Sequence, residues 1–467
     1  MDKKYSIFSL IVLANIFLKS IYSDYTPFSY DEIISVKDAL LDFGHIKHEA
    51  EWDNNPPFYY YCLWVWHQII PINEFNTRFL SILFVSFSIG LSYIFCLKYF
   101  NLKTALIASI LLSISNFVIF YSQEARVYSL IIFLAVVSSM LFFEYISSRK
   151  IAHLLILSLV NFLIVYSHYI ASIVIVTQYI IIGLYYKNNV KLYFSVQSVI
   201  ILGLIFLRFT KKQIQHVLGF NKENDFWLKT ANTNDLMHAF STLYYSSFVS
   251  ILFILSALFF LYSYLSNNET EKRDVKMYCF ILGFVSVLFL FALGTIKPVF
   301  LPRYLIFCVP FATILVSYQL TKFHFPGVIL VCAVIIFLLK DVNLFKNSGV
   351  NYKLLADVIH KIKRNQDLVV INTRDNLLLF EYYYDRSGFM KYKNIDSLAR
   401  TENIYGINEV AQLPQIMSDK NENVFLLQSF HKINNLNNPV REELAKKSTQ
   451  VYYTEYFNGV ELTIFNN

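Results

Sequence analysis

Residues 104–146 read TALIASILLSISNFVIFYSQEARVYSLIIFLAVVSSMLFFEYI. Two apolar runs, 104–121 and 127–146, enclose a polar junction of Ser122, Gln123, Glu124, Ala125 and Arg126. Each run is close to the roughly 20 residues that a helix needs to cross the hydrocarbon core. The junction is then a very short turn between two spans. Working outward, further apolar runs lie near 5–22, 76–97, 152–168, 169–186, 192–209, 245–265, 277–296, 303–320 and 325–340. The expectation is a polytopic α-helical membrane protein with about eleven transmembrane helices. Composition agrees: the 467-residue chain is 56% hydrophobic and only 16% charged, where soluble domains carry about 25% charged residues. A disordered chain, a DNA-binding domain and most water-soluble enzymes are excluded, so no nucleic-acid partner is expected. The five cysteines (Cys62, Cys96, Cys279, Cys308, Cys332) are scattered, without a CxxC pair, and point to neither a disulfide framework nor a zinc site.

The first run follows a basic start, Lys3 and Lys4, and ends at Ser23, Asp24, Tyr25, Thr26 and Pro27 with no cleavage motif. It reads as a retained first helix and not as a signal peptide. With the N-terminus inside, the inner turns hold Lys98, Lys103, Arg149, Lys150, Lys187, Lys191, Lys272, Arg273, Lys276 and Lys322. The short outer turns hold few basic residues besides Arg126, Lys297 and Arg303, as the positive-inside rule requires. The long outer segment 210–244 carries Lys211, Lys212, Lys222 and Lys229, but long loops obey that rule poorly. The N-terminus is expected on the cytoplasmic side of the cell membrane and the C-terminal part on the outer side. From about Asp341 the composition changes. Helix-like Tyr352–Arg364 alternates with β-rich Asp367–Asn372, Asn423–Gln428 and Gln450–Tyr456, which predicts a small extracytoplasmic α/β domain over 341–467. Residues 1–340 are the expected membrane domain, with 24–75 as its first outer loop.

Ionisable groups at a membrane boundary are costly and need a reason. Four clusters stand out, all on the expected outer face. The loop 24–75 supplies Tyr30, Asp31 and Glu32, a helical pattern over Glu32–Phe43 suited to lying on the interface, and the run Asp53, Asn54, Asn55, Pro56, Pro57, Phe58, Tyr59, Tyr60. Asp31 and Glu32 diverge by about 100° on a helix, so they do not form a facing pair; either one serves as a lone general base or as a helix cap. The second cluster is the junction itself, where Arg126 offers a fork of donors for a phosphate or a tie between helices through Glu124. The third is Tyr166, Ser167, His168, Tyr169, and the fourth runs from Lys297 through Pro302, Arg303 and Tyr304. The bland readings are a helix–helix hydrogen bond for His168 and snorkelling to headgroups for the two cations.

In this order the motifs resemble the GT-C membrane glycosyltransferases. The order is Tyr-Asp-Glu at 30–32, Asp-Asn-Asn-Pro-Pro-Phe-Tyr-Tyr at 53–60, Asn-Thr-Arg-Phe with Arg78, Tyr-Ser-Gln-Glu-Ala-Arg-Val-Tyr at 121–128, Ser-His-Tyr and Pro-Arg-Tyr. More closely the chain is similar to the branch with bacterial aminoarabinose transferases of lipid A and protein O-mannosyltransferases, glycosyltransferase family 39 and its relatives. The resemblance spans residues 1–340; one departure is Asn55, where the family often has histidine before the double proline. It implies a polyprenyl-phosphate sugar donor, a site between the outer loops and the membrane surface, contact with membrane lipids, and a glycan, lipid or protein acceptor. Carried over by residue, Asp31 is the general base with Glu32 beside it. Arg126 and Arg303 contact the donor phosphate, with Lys297 as a helper by position. Asp53, Asn55, Tyr59, Glu124 and His168 line the substrate site. No cofactor and no metal are implied.

The chemistry is coherent. An acceptor hydroxyl needs a carboxylate to take its proton, and the leaving lipid phosphate needs fixed cations. One base in a direct displacement gives inversion, whereas retention requires a second, facing carboxylate. A lipid or polysaccharide transporter or flippase component is the alternative class. It would place charges near mid-span, whereas here they collect at loop ends.

Overall fold

The computed structural model describes residues 3–41, 43–49, 55–187, 190–197, 229–266, 271–322, 335, 339, 342–344, 351–392, 394–417, 422–429, 439–448, 450–457 and 460–466. The chain folds as two compact units. One comprises Met1–Ile21, Asp42–Pro71 and Phe75–Leu344; the other comprises Tyr22–Leu41, Ile72–Glu74 and Phe345–Asn467.

The first unit is helical. Four of its described helices are long and apolar enough to cross a membrane: Glu74–Tyr99, Tyr128–Ser148, Ser247–Leu265 and Arg273–Gly294. Leu102–Ile114 and Asn116–Ser122 make a fifth span when taken together, bent by 61°. The bend has a local cause. Ser115 is extended, ending one helix and capping the next, with its Oγ accepting from Val118 N at 3.4 Å. Three shorter apolar helices, Ile151–Val165, Tyr169–Tyr185 and Cys308–Leu320, and the initial helix Lys3–Ser20 account for four more expected spans. The expected spans 192–209 and 325–340 lie largely outside the described residues.

Polar groups inside this unit are tied to one another, as a low-dielectric interior demands. Ser138 Oγ donates to Asn161 Oδ1 (2.6 Å), Asn161 Nδ2 to Gln178 Oε1 (2.9 Å) and Gln197 Oε1 (3.1 Å), and Tyr193 to Gln178 Oε1 (2.7 Å). Close helix approach has its own device. A Cβ on Gly283 would stand 2.6 Å from the backbone nitrogen of Ala312, so Arg273–Gly294 can press directly on Cys308–Leu320.

The second unit is a mixed five-stranded sheet in the order β2-β1-β3-β5-β4, with β1 Leu368–Asn372, β2 Ile404–Ile407, β3 Asn423–Ser429, β4 Gln450–Phe457 and β5 Val460–Asn466. β1 runs parallel to β2 and β3, while β5 is antiparallel to β3 and β4. Leu368 to Ile371 are buried on both faces, which is why that strand reads as an unbroken apolar run. Helices Tyr352–Ile362 and Asn376–Tyr384 pack on one face through Leu355, Ile359, Leu377 and Phe380; Leu413, Val440 and Leu444 cover the other.

The apolar stripe expected to lie on lipid does something else. Helix Tyr30–Leu40 buries Ile33 and Val36, with Phe28 before them and Ile72 beyond, in the core formed by Tyr352, Leu355 and Phe380. Full burial of side chains this size contributes about 1.5–3 kcal/mol each. The helix is therefore part of the α/β fold.

Candidate active site

The acidic motif sits at the start of helix Tyr30–Leu40. Ser29 is its cap: Ser29 Oγ accepts from Glu32 N at 3.4 Å, and Glu32 Oε2 accepts from Ser29 N at 2.9 Å, a reciprocal capping box. Glu32 is fully buried and its carboxylate is occupied in this structural task. The capping alternative thus belongs to Glu32. Asp31, half-buried in the first turn, takes no part in the box. Both residues belong to the α/β unit.

The cationic motifs belong to the membrane unit, where the junction is fixed from several sides. The helix Asn116–Ser122 ends at Gln123, whose Nε2 donates to Lys19 O (3.1 Å) and Ile21 O (2.9 Å) at the end of the first helix. Ser129 Oγ donates to Tyr121 O at 2.7 Å and closes the turn. Arg126 N donates to Glu124 O at 2.8 Å, which leaves Arg126 one residue before the N-cap of Tyr128–Ser148. The positive end of that helix dipole adds to the guanidinium charge. Arg126 and Glu124 are both buried.

Three other segments come together near this junction. Arg126 Nη1 reaches Tyr60 OH at 3.5 Å. Phe58 N donates to Tyr166 O at 3.2 Å and joins the Pro-Pro-Phe-Tyr-Tyr helix, Phe58–His67, to the Ser-His-Tyr segment. His168 lies between helix Ile151–Val165 and the short turn Tyr169–Ser172, which packs against the turn Pro302–Leu305. The imidazole is 5.0 Å from the Tyr304 ring and 6.4 Å from the Tyr128 ring. The Arg303 guanidinium stands 5.9 Å from the Tyr128 ring and 5.6 Å from that of Tyr304. Burial first, then the positive charges of Arg303 and Arg126, push the His168 pKa down to about 3, so the imidazole is neutral at ordinary pH. Its Nδ1 is buried and has no hydrogen-bond partner among the described residues.

The remaining expected residues are placed individually. Asn55 is buried just before the Pro57 cap of Phe58–His67. Tyr59 points its hydroxyl to Ser81 Oγ (3.1 Å) on helix Glu74–Tyr99, and it is the neighbouring Tyr60 that meets Arg126. Lys297 is exposed, Arg78 is fully buried, and Asp53 lies outside the described residues. The structure thus gathers Arg126, His168 and Arg303 around a group of tyrosines. Tyr60, Tyr128 and Tyr304 join that group; the sequence placed each within a motif without giving it a role of its own. Two guanidinium forks beside a neutral imidazole, at the head of a helix, form an arrangement suited to a phosphate.

These features define a polytopic helical membrane protein with an appended α/β unit, the GT-C fold. Two solved structures share it over nearly their whole length. ArnT from Cupriavidus metallidurans in the apo state covers 98% of this chain and 98% of its own, with a TM-score of 0.61 and 11% identity. The same protein bound to undecaprenyl phosphate covers 99% and 98%, again with a TM-score of 0.61, at 10% identity. The archaeal oligosaccharyltransferase AglB from Archaeoglobus fulgidus, in complex with an inhibitory peptide and a dolichol-phosphate, covers 92% of this chain and 70% of its own, with a TM-score of 0.55 and 10% identity. No protein-family model matches the sequence, and no curated protein matches it either.

Proposed function

We propose that the protein is an integral-membrane glycosyltransferase that moves a hexosyl or pentosyl group from a polyprenyl-phosphate donor to a hydroxyl of a glycan, lipid or protein on the outer face of the membrane. The observation that carries this reading is the convergence of Arg126, Arg303 and His168 on one place. It occurs in a chain that shares its fold with a protein solved with undecaprenyl phosphate bound. In the proposed reaction the two arginines hold the phosphodiester and stabilise the charge that grows as its bond to the anomeric carbon breaks. His168, being neutral, contributes a hydrogen bond to a phosphate oxygen. Asp31 takes the proton of the acceptor hydroxyl as that oxygen bonds to the anomeric carbon from the opposite side. The products are an inverted glycoside, the protonated carboxyl and the polyprenyl phosphate.

Asp31→Asn tests the base. The substitution keeps size and hydrogen bonding and leaves the Ser29–Glu32 box intact, while removing the proton acceptor. Transfer should fall by about 10²–10⁴ with lipid-phosphate binding unchanged. Near-normal transfer by the folded variant removes Asp31 from this role.

A further inference from the structure

A hollow of about 610 Å³ opens in the α/β unit, bordered by Tyr30, Lys37, Arg374, Asp375, Asn394 and Asn408, with Leu377, Leu378 and Ile395 also lining it. Its position follows from the topology. Arg374 and Asp375 come directly after β1, and Asn408 directly after β2, so the hollow lies beyond the carboxyl ends of two adjacent parallel strands. This is where open α/β sheets bind ligands, and the volume is that of an ordinary small-ligand site. The loop is held in place: Arg374 N donates to Asn408 Oδ1 at 3.0 Å, and a Cβ on Gly406 would stand only 3.0 Å from Arg374 Cα.

The chemistry of the border selects among ligand classes. The loop after β1 reads Thr373, Arg374, Asp375, Asn376, without the glycines that let a backbone wrap a nucleotide's phosphates. Its charges are balanced, two cations against Asp375 and Asp396. Arg374 Nη2 is paired with Asp396 Oδ2 at 2.5 Å, and Lys37 Nζ donates to Tyr392 O at 2.6 Å. A charged ligand gains little from such a surface. A ligand rich in hydroxyls, each both donor and acceptor, matches the mixture of amides, carboxylates and cationic donors. Tyr30, 39% exposed, offers a ring to the non-polar face of a sugar. Burial, then the carboxylates of Asp375 and Asp31, push the Tyr30 phenol up to about 12, so the rim of the hollow is within electrostatic reach of Asp31.

We propose that this hollow is a carbohydrate-binding subsite that takes an uncharged, hydroxyl-rich part of the acceptor. The assignment rests on the glycosyltransferase reading for the word acceptor, while binding of a glycan there stands by itself. The test uses the full-length protein in lipid nanodiscs and the lipid-free glycan fraction released from the envelope of the source organism, read by saturation-transfer NMR. Undecaprenyl phosphate binding is measured in parallel. Tyr30→Ala and Arg374→Ala alter exposed groups. Arg364→Ala serves as control, since it breaks a similar exposed ion pair, with Glu422, bordering a separate hollow. The wild type and the control should bind glycan, and the two test variants should bind at least tenfold more weakly, with lipid-phosphate binding equal in all four. No glycan binding by a wild type that still binds the lipid phosphate overturns the subsite and leaves the donor reading standing. Glycan binding that is unaltered in both test variants, or weakened equally by the control, also overturns it. Glycan binding that follows the expected pattern without any lipid-phosphate binding upholds the subsite and removes the donor reading.

Discussion

Arg126 is held in position by groups that need no ligand: the Glu124 carbonyl, the Tyr60 hydroxyl and the start of the helix behind it. Lysine in its place keeps the charge and loses the planar fork. Hydrogen bonds to charged groups are worth about 1.5–3 kcal/mol, so Arg126→Lys should weaken lipid-phosphate binding roughly ten- to hundredfold; unchanged affinity would place the phosphate elsewhere. His168 gives a second prediction, with a different readout. Because its pKa is pushed down to about 3 by burial, Arg303 and Arg126, it does not titrate between pH 5 and 8 in the free protein. His168→Gln should therefore lower transfer without changing the shape of the kcat/KM profile over that range. Loss of an ionisation near neutral pH in the variant would mean that the histidine works as an acid or base. Both residues were legible in the sequence as polar groups stranded between apolar runs. Tyr60 was not, because adjacent tyrosines at 59 and 60 diverge by about 100° and nothing local says which one faces the arginine.

Elements were legible where one physical cause dominates. The span expected at 76–97 is the helix Glu74–Tyr99, and the strand expected at Asp367–Asn372 is β1, because a long apolar run and a short β-branched one each have a single good solution. β2 was missed. It has four residues, one of them Gly406, and is held by pairing to β1 more than by its own propensity. β5 was missed since Glu461 and Thr463 make it look half-exposed. Both are buried, and Arg441 pairs with Glu461 at 2.9 Å. The stripe of Tyr30–Leu40 was legible as apolar, but a stripe has no mark that separates lipid from a protein core. Within the same unit, helix Asn376–Tyr384 carries a pH-sensitive group. Glu381 is buried, its Oε1 has no partner among the described residues, and burial followed by Asp385 and Glu402 pushes its pKa up to about 8. The folded state thus keeps a proton that the unfolded chain releases near the ordinary value of 4.5. Stability falls as pH rises from that value to about 8, and no further loss comes from this group beyond it. Glu381→Gln should remove the dependence. Amide exchange in Asn376–Tyr384, corrected for the intrinsic rate, should show wild-type protection dropping from pH 6 to pH 8.5 and the variant holding level. Parallel curves for the two proteins would contradict the assignment.

At the scale of the molecule, a break in composition near residue 341 marks a change along the chain but not the partition in space. Phe28, Ile33, Val36 and Ile72 join residues more than three hundred positions away, and only packing reveals that. The span pattern carried a further expectation, a difference in charge between the two ends of the bundle. In the membrane unit one end collects the charges assigned to the inside. Lys98 pairs with Glu144, Arg273 lies over the Tyr264 ring at 4.2 Å, and Lys276 and Lys322 flank the Tyr318 ring at 4.7 and 4.9 Å. Arg126, His168 and Arg303 occupy chain positions at the opposite ends of the same helices. On the topology proposed from the positive-inside rule, the lysine-rich end would face the cytoplasm, and the chain after an odd number of spans would emerge outside. In a variant with all five cysteines replaced by serine, Ser266→Cys should react with a membrane-impermeant maleimide only after the cells are opened. Ser397→Cys, on the exposed surface of the α/β unit, should react in intact cells. Labelling of Ser266→Cys alone from outside would invert the topology. The arginines would then face the cytoplasm, and transfer onto an outer-face acceptor would have to be abandoned.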